Sequence, residues 1–395
     1  LKILKYIIIF LLTILFLEVF LRILKPTALQ YYWVQRQIHS FDPDYFVDLE
    51  PNQKVNIKHF LGIFNINFTT NERGYRATRE VNNSFPQIIC IGDSITMGFG
   101  VNDEDTFCNK LDLYKDSKEN IYQSINLAVD AYGPSAIALK LKKHLPNLNP
   151  KLLYYFPSTG DDVDEISFHE KKQNPSLQRA FKIQFLLTKY SYLFLALKVT
   201  QEQMQFRFME AFVYPFIRAK NLYLCMTAQK PKDECPISSW KEILNDLYSD
   251  FFRPPVKNPN AYPNFPASEC EEPQEEFVAP ESAYKAIQEI IDLSKELNLK
   301  LVMILLPIDI ETAYCSQKGK IHRYYGYLKT MKKFLDKQKI DYIDMNLPQY
   351  TLQMVDETGQ LNPRPYYIIG DGHYTRLGND WVFKTLIQKT KEVLP

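Results

Sequence analysis

Two short runs near opposite ends of the 395-residue chain carry the residue types that a nucleophilic mechanism needs. The first is Ile91-Gly92-Asp93-Ser94-Ile95-Thr96, in which a serine directly follows an apolar run. If that run is a buried strand of a parallel sheet, Ser94 stands at its carboxyl end, the edge where α/β sheets bind ligands. Gly92 allows a tight exit from the strand. Taken alone, Ser94 reads equally well as the cap of the next helix, a common task for serine. The second run is Asp371-Gly372-His373. An imidazole can take a serine's hydroxyl proton, and a carboxylate can fix its tautomer and stabilise the imidazolium. Thr375 reads as the N-cap of the final helix, which puts Asp371 and His373 on a loop at a helix start. Alone, that pair could be an idle loop Asp and an exposed His; the two runs together make a stronger case.

Other reactive residues offer less. His169-Glu170 lacks the second histidine of an HExxH helix, so no metal site is expected. His39, His59, His144 and His322 read as surface or structural histidines. None of the six cysteines forms a C-x-x-C pair, which argues against structural zinc and against a thioredoxin-like motif. Cys90 lies in the apolar run before Ser94 and reads as a small buried hydrophobe. Cys225, Cys235 and Cys270 lie in a polar, proline-rich stretch where a disulfide would suit an oxidising compartment. The charge balance of 47 basic against 46 acidic residues leaves no basic stripe, so nucleic acid is not an expected partner. No glycine-rich phosphate loop appears, and no cofactor is expected.

The elements that must position Ser94 and His373 follow from the apolar pattern. Gln87 to Ser94, Ser124 to Val129, Lys151 to Pro157, Lys300 to Pro307 and Asp341 to Met345 are short apolar runs of the kind buried on both faces of a parallel sheet. Between and after them, Asp103 to Leu113, Ser135 to His144, Ala283 to Leu297, His322 to Gln338 and Arg376 to Val393 carry helical spacing. The alternation predicts an α/β three-layer sandwich around a parallel sheet of about five strands, from residue 86 to 395. Residues 26 to 85 form an N-terminal extension with a short hairpin or edge strand near Ile66 to Thr70, turning at Asn71 to Gly74. A largely helical insertion is expected at about 163 to 280, amphipathic at first and irregular in its proline-rich end.

The segment 1 to 25 bears on the compartment. Tyr6 to Leu17 holds no charge, but twelve helical residues span only ~18 Å of a ~30 Å hydrocarbon layer. Extension through Leu24 takes in Glu18 and Arg22, spaced to pair on one helix face. A retained transmembrane signal anchor is the reading adopted, ahead of a cleaved signal peptide and of an interfacial or core helix. It places the remaining chain outside the cytoplasm, in the periplasm or the extracellular space.

A serine in GDS near the start of an α/β domain, with D-x-H before the last helix, resembles the SGNH (GDSL-type) serine hydrolases. The likeness extends through GDSITMGFGVNDEDTF, the second-block run Asn126 to Gly133, YIDM, and the preface FTTNERGYRA. The resemblance implies an SGNH-hydrolase-like, flavodoxin-like fold and a membrane-anchored member, with Ser94 as nucleophile and Asp371 and His373 completing a triad. It implies a serine esterase or O-acyltransferase working through an acyl-serine on acyl esters of a glycan or lipid. It also implies an oxyanion hole from the N–H of Ser94, the N–H at a second-block glycine and a third-block asparagine side chain. Here those positions hold Ala131 and Asp161. An ionised Asp161 would repel an oxyanion at ~3 Å by about 5 kcal/mol at an effective dielectric of ~20. Either Asp161 is protonated and donates, or Thr159 or a backbone N–H replaces it, or the chain is a weak or inactive relative. The last case would make it a binding or scaffold protein of cell-envelope polysaccharide assembly.

Overall fold

The computed structural model describes residues 2–60, 62–157, 161–208, 270, 280–307, 309–320, 326–368 and 372–394. These fall into two compact units, one containing residues 2–29 and 187–208, the other the remaining described residues.

In chain order the helices and strands begin with α1 (Lys2–Leu24), α2 (Thr27–Gln37), β1 (His39–Ser40), β2 (Asp48–Leu49), β3 (Lys54–Lys58) and β4 (Asn65–Thr69). Then come β5 (Gln87–Gly92), α3 (Ser94–Met97), β6 (Tyr114–Lys115), β7 (Ile121–Asn126), α4 (Pro134–His144) and β8 (Pro150–Phe156). The insertion supplies α5 (Asp161–Gln173), α6 (Pro175–Tyr190) and α7 (Tyr192–Phe208). The rest comprises α8 (Glu281–Glu296), β9 (Lys300–Leu305), α9 (Ile310–Gln317), α10 (Gly326–Gln338), β10 (Asp341–Asp344), α11 (Pro348–Thr351) and α12 (Arg376–Val393).

The main sheet has the order β10-β9-β8-β5-β7-β6, with β5 inside it, flanked by β8 and β7. All its pairings are parallel except the edge, where β6 runs antiparallel to β7. Five parallel strands are therefore joined by a sixth of two residues, Tyr114 and Lys115, too short to leave a sequence pattern. Every residue of β5 is buried. Its alternate side chains feed two cores, as a strand's two-residue period requires. Ile89 and Ile91 join Ile137 and Leu141 of α4, Ile287 and Ile290 of α8, and Met331 and Leu335 of α10. Ile88 and Cys90 join Ala313 of α9 and Trp381, Val382 and Leu386 of α12. Helices on both faces make the expected three-layer sandwich.

Some local expectations change. Asp103 to Leu113 is not one α-helix but two 3₁₀ turns, Asp103–Asp105 and Asn109–Leu111. Side chains take the backbone donors that an α-helix would use: Thr106 Oγ1 accepts from Asn109 N and Asn379 Oδ1 from Phe107 N. The strand expected near Ile66 to Thr70 is β4, Asn65–Thr69, which pairs antiparallel with the preceding β3, and Asn71 to Gly74 turns the chain after it. Gly74 has φ +76°, which suits that turn. Cys90 is buried as expected but is disulfide-bonded to Cys108, and Cys270 pairs with Cys315. Cys225 and Cys235, His322 and the irregular end of the insertion lie outside the described residues.

In the other unit, α1 is a 23-residue helix with no buried residue. At 1.5 Å per residue it is about 34 Å long, enough to cross a bilayer core. Its Glu18 and Arg22 pair at 2.7 Å.

Candidate active site

The turn that follows β5 frees the Ser94 hydroxyl. Capping of α3 is done by Asp93, whose Oδ1 accepts from Ile95 N at 2.9 Å, so Ser94 is released from the role it could have filled. Gly92 is required for packing. A Cβ there would lie 2.3 Å from Thr96 Oγ1 and 3.0 Å from the Phe156 carbonyl oxygen.

His373 reaches Ser94 from the far end of the chain, its Nε2 2.7 Å from Ser94 Oγ. Its loop is pinned on both sides. The hydroxyls of Tyr367 and Tyr374 both donate to the Pro307 carbonyl, at 2.8 and 2.5 Å. Ile368 N donates to the His373 carbonyl at 2.7 Å, and Thr375 caps α12 as its position in the sequence predicts. The Phe99 ring lies 4.7 Å from the imidazole and itself meets Phe64 edge-on at 5.4 Å. Asp371 lies outside the described residues.

Two residues outside the proposed triad hold this turn. Asn126, at the end of β7, donates to the Thr96 carbonyl at 2.9 Å and accepts from Ala128 N at 3.1 Å, tying α3 to the loop after β7. Arg76 is fully buried, with its guanidinium over the Phe68 ring. Its Nε donates to Asp103 Oδ1 at 3.0 Å, Nη1 to the carbonyls of Met97 (2.8 Å) and Gly98, and Nη2 to Val101 O at 2.5 Å. A planar five-donor group is the side chain suited to so many acceptors at once. The turn carrying Phe99 is thus fixed from beneath. The preface FTTNERGYRA contains Arg76, but no spacing rule marks it as the support of this turn.

Ala131 follows the same β7 loop, exposed, with φ +58°. That left-handed region is the one glycine occupies without strain and alanine rarely visits. Asp161 is the first residue of α5. Beside Ala131, His39 and Asp130 meet, Nε2 to Oδ1, at 2.5 Å, while His39 Nδ1 faces the Gln35 carbonyl at 2.8 Å. Burial alone would raise the Asp130 carboxyl; the adjacent His39 outweighs it and holds that carboxyl below the usual carboxylate range. His39, Asp130, Ala131, Tyr132 and Phe168 border a cavity of about 220 Å³ that Arg36 and Lys171 also line.

A second serine–histidine contact has a different character. Ser135 Oγ lies 3.1 Å from His169 Nε2, but its hydroxyl donates to Glu165 Oε1 at 2.6 Å, and Glu165 Oε2 accepts from Ser135 N. This cluster neutralises the amino end of α4 with a fully buried carboxylate.

A six-stranded α/β sheet with helices on both faces carries Ser94 at the carboxyl end of an inner strand. The loop before the last helix brings His373 to it. The fold is a three-layer α/β sandwich around a mostly parallel sheet.

No family model matches the chain, and no curated protein matches it significantly. Among solved structures it is similar to a GDSL-like lipase of Bacteroides thetaiotaomicron, at 13% identity and a TM-score of 0.34 over 79% of this chain and 92% of the other. It is also similar to an acetyl xylan esterase, at 12% identity and a TM-score of 0.36 over 77% and 98%.

Proposed function

We propose that this chain is an extracytoplasmic, membrane-tethered serine hydrolase or O-acyltransferase acting on acyl esters of a glycan or lipid. The observation that carries the proposal is the 2.7 Å contact between His373 Nε2 and Ser94 Oγ. The imidazole takes the hydroxyl proton as Ser94 Oγ attacks the ester carbonyl. Asp371 is assigned to orient the imidazole and to stabilise it once charged. The tetrahedral oxyanion is met by the N–H groups of Ser94 and Ala131. Collapse expels the alcohol, which takes the proton from His373 and leaves an acyl-Ser94. Water or a sugar hydroxyl then attacks that ester, with His373 again as base, giving hydrolysis or transfer. The cavity beside Ala131 is assigned to the substrate part flanking the scissile ester. The two disulfides among the described residues support an oxidising compartment, and α1 supports the tether.

A serine-directed fluorophosphonate tests the assignment directly. The unaltered protein is expected to label and Ser94→Ala to stay unlabelled; equal labelling of both ends the proposal.

The second reading, a binding or scaffold protein on the same fold, is favoured by an aspartate at position 161. Asp161→Asn separates the two. A rise in ester turnover of about 10²-fold, the worth of one oxyanion donor, supports the enzyme. No turnover in either form, over a broad ester panel, supports the scaffold.

A further inference from the structure

The membrane helix carries an acid, and the structure shows what receives it. Glu18 of α1 accepts four hydrogen bonds: Arg22 Nε at 2.7 Å, Ser191 Oγ at 2.9 Å, Tyr192 N at 3.0 Å and Leu193 N at 2.8 Å. Three of the four come from the first turn of α7 and the residue before it. The carboxylate therefore does for α7 what a cap residue does, satisfying orphan N–H groups at the positive end of the helix dipole. Arg22 completes the junction by donating to the Tyr190 carbonyl at 2.7 Å and lying over the Tyr192 ring.

Depth follows from helix geometry. Glu18 lies six residues before the end of α1, or about 9 Å along the axis. A bilayer crossing needs ~20 of the helix's residues, so Glu18 falls inside or at the edge of the hydrocarbon layer. An acid at that depth is tolerated when it is paired and fully hydrogen-bonded, as this one is. The N–H groups that satisfy it share its depth. From there α7 displays exposed apolar side chains: Leu197 is 62% exposed and Met204, two turns on along the same face, 67% exposed. Tyr190, just before the junction, is 65% exposed, an amphipathic ring of the kind that settles at headgroup level.

We infer that the first turns of α7 are embedded in the bilayer interface beside α1, so that the chain holds the lipid surface by two elements. This rests on the spanning role proposed for α1. The partner is the acyl–headgroup boundary of a phospholipid bilayer, argued from the continuity of the exposed α7 face with α1. Short of a second span, α7 then starts at the depth of Glu18 and leaves through the polar stretch at its middle, where Lys198 pairs with Glu202 at 2.8 Å.

The test uses full-length protein in phosphatidylcholine vesicles with bromine at a shallow acyl position. Two variants, Leu197→Trp and Phe10→Trp, are each compared with the unsubstituted protein to remove the native tryptophan signal. An interfacial helix lies ~5–10 Å into the headgroup–acyl boundary, so the emission added at position 197 is expected to fall about twofold in brominated vesicles. Quenching at position 10 with none at position 197 overturns the inference and leaves the anchor standing. No quenching at either position overturns the anchor and the inference together.

Discussion

His373 Nε2 and Ser94 Oγ stand 2.7 Å apart although 279 positions separate them in the chain. Groups that act as one unit are not additive when removed. Ser94→Ala and His373→Ala are each expected to lower kcat for an acetyl ester by about 10⁴-fold or more, and the double variant by no more than the worse single one. Steady-state turnover, with circular dichroism to verify folding, checks this. Multiplying losses would mean that the two residues work independently.

Ala131 sits at φ +58°, where an alanine Cβ crowds the following carbonyl oxygen. Ala131→Gly relieves that strain and keeps the N–H, so stability is expected to rise by about 1 kcal/mol with turnover preserved. Ala131→Val, branched at Cβ, is expected to lose stability and most activity. Denaturant titration and ester kinetics on the same samples read both. A loss of stability in the glycine variant would show that the left-handed conformation is not maintained in solution.

His144 supplies a pH dependence. Tyr75 Oη donates to its Nδ1 at 2.7 Å, and its Nε2–H lies 3.1 Å from Tyr45 Oη, whose own proton goes to Asp48. Burial first, then the Lys140 charge, hold this imidazole down to about 4. The unfolded chain takes up the proton near pH 6.5, so it binds more protons than the fold between about 6.5 and 4. Stability is thus full above that window, declines as pH falls through it, and loses on the order of 3 kcal/mol by its lower end. Urea titrations at stepped pH should show this slope, and His144→Gln should flatten it. An unchanged slope in the variant would assign the effect to other groups.

The Cys90–Cys108 bridge closes a loop of 18 residues between the β5 strand and the turns after α3. Loop-closure entropy of that size corresponds to about 3 kcal/mol. The paired change Cys90→Ala with Cys108→Ala, which leaves Cys270–Cys315 intact, is expected to shift the unfolding midpoint accordingly. Equal midpoints for the paired variant and the unaltered protein would count against the bridge.

Much of this was written in the sequence, for identifiable reasons. Four of the five parallel strands are buried over most of their length and β10 over its second half, and that condition leaves the short, largely apolar runs by which they are read. Ser94 and His373 were legible because turn and cap chemistry frames them, with Gly92 on one side and Thr375 on the other. The edge strand Tyr114–Lys115 left no trace, since two residues carry no period. The run Asp103 to Leu113 misled because helical apolar spacing says nothing of side chains such as Thr106 and Asn379 that capture backbone N–H groups. The Cys90–Cys108 pairing was hidden for another reason: apolar surroundings suit a thiol and a disulfide equally. Long-range hydrogen bonding, as of Arg76 beneath the turn after α3, is invisible to any local pattern.

The Arg76 guanidinium gives the N-terminal extension a meaning beyond that of a spacer. A shortened protein starting at the first long sheet strand would keep Ser94, Ala131, Asp371 and His373 and lose the splint under the turn after α3. Three backbone carbonyls and the Asp103 carboxylate would then face a void, each an acceptor without its donor. Whoever trims this molecule for crystallisation or engineering should cut ahead of that arginine.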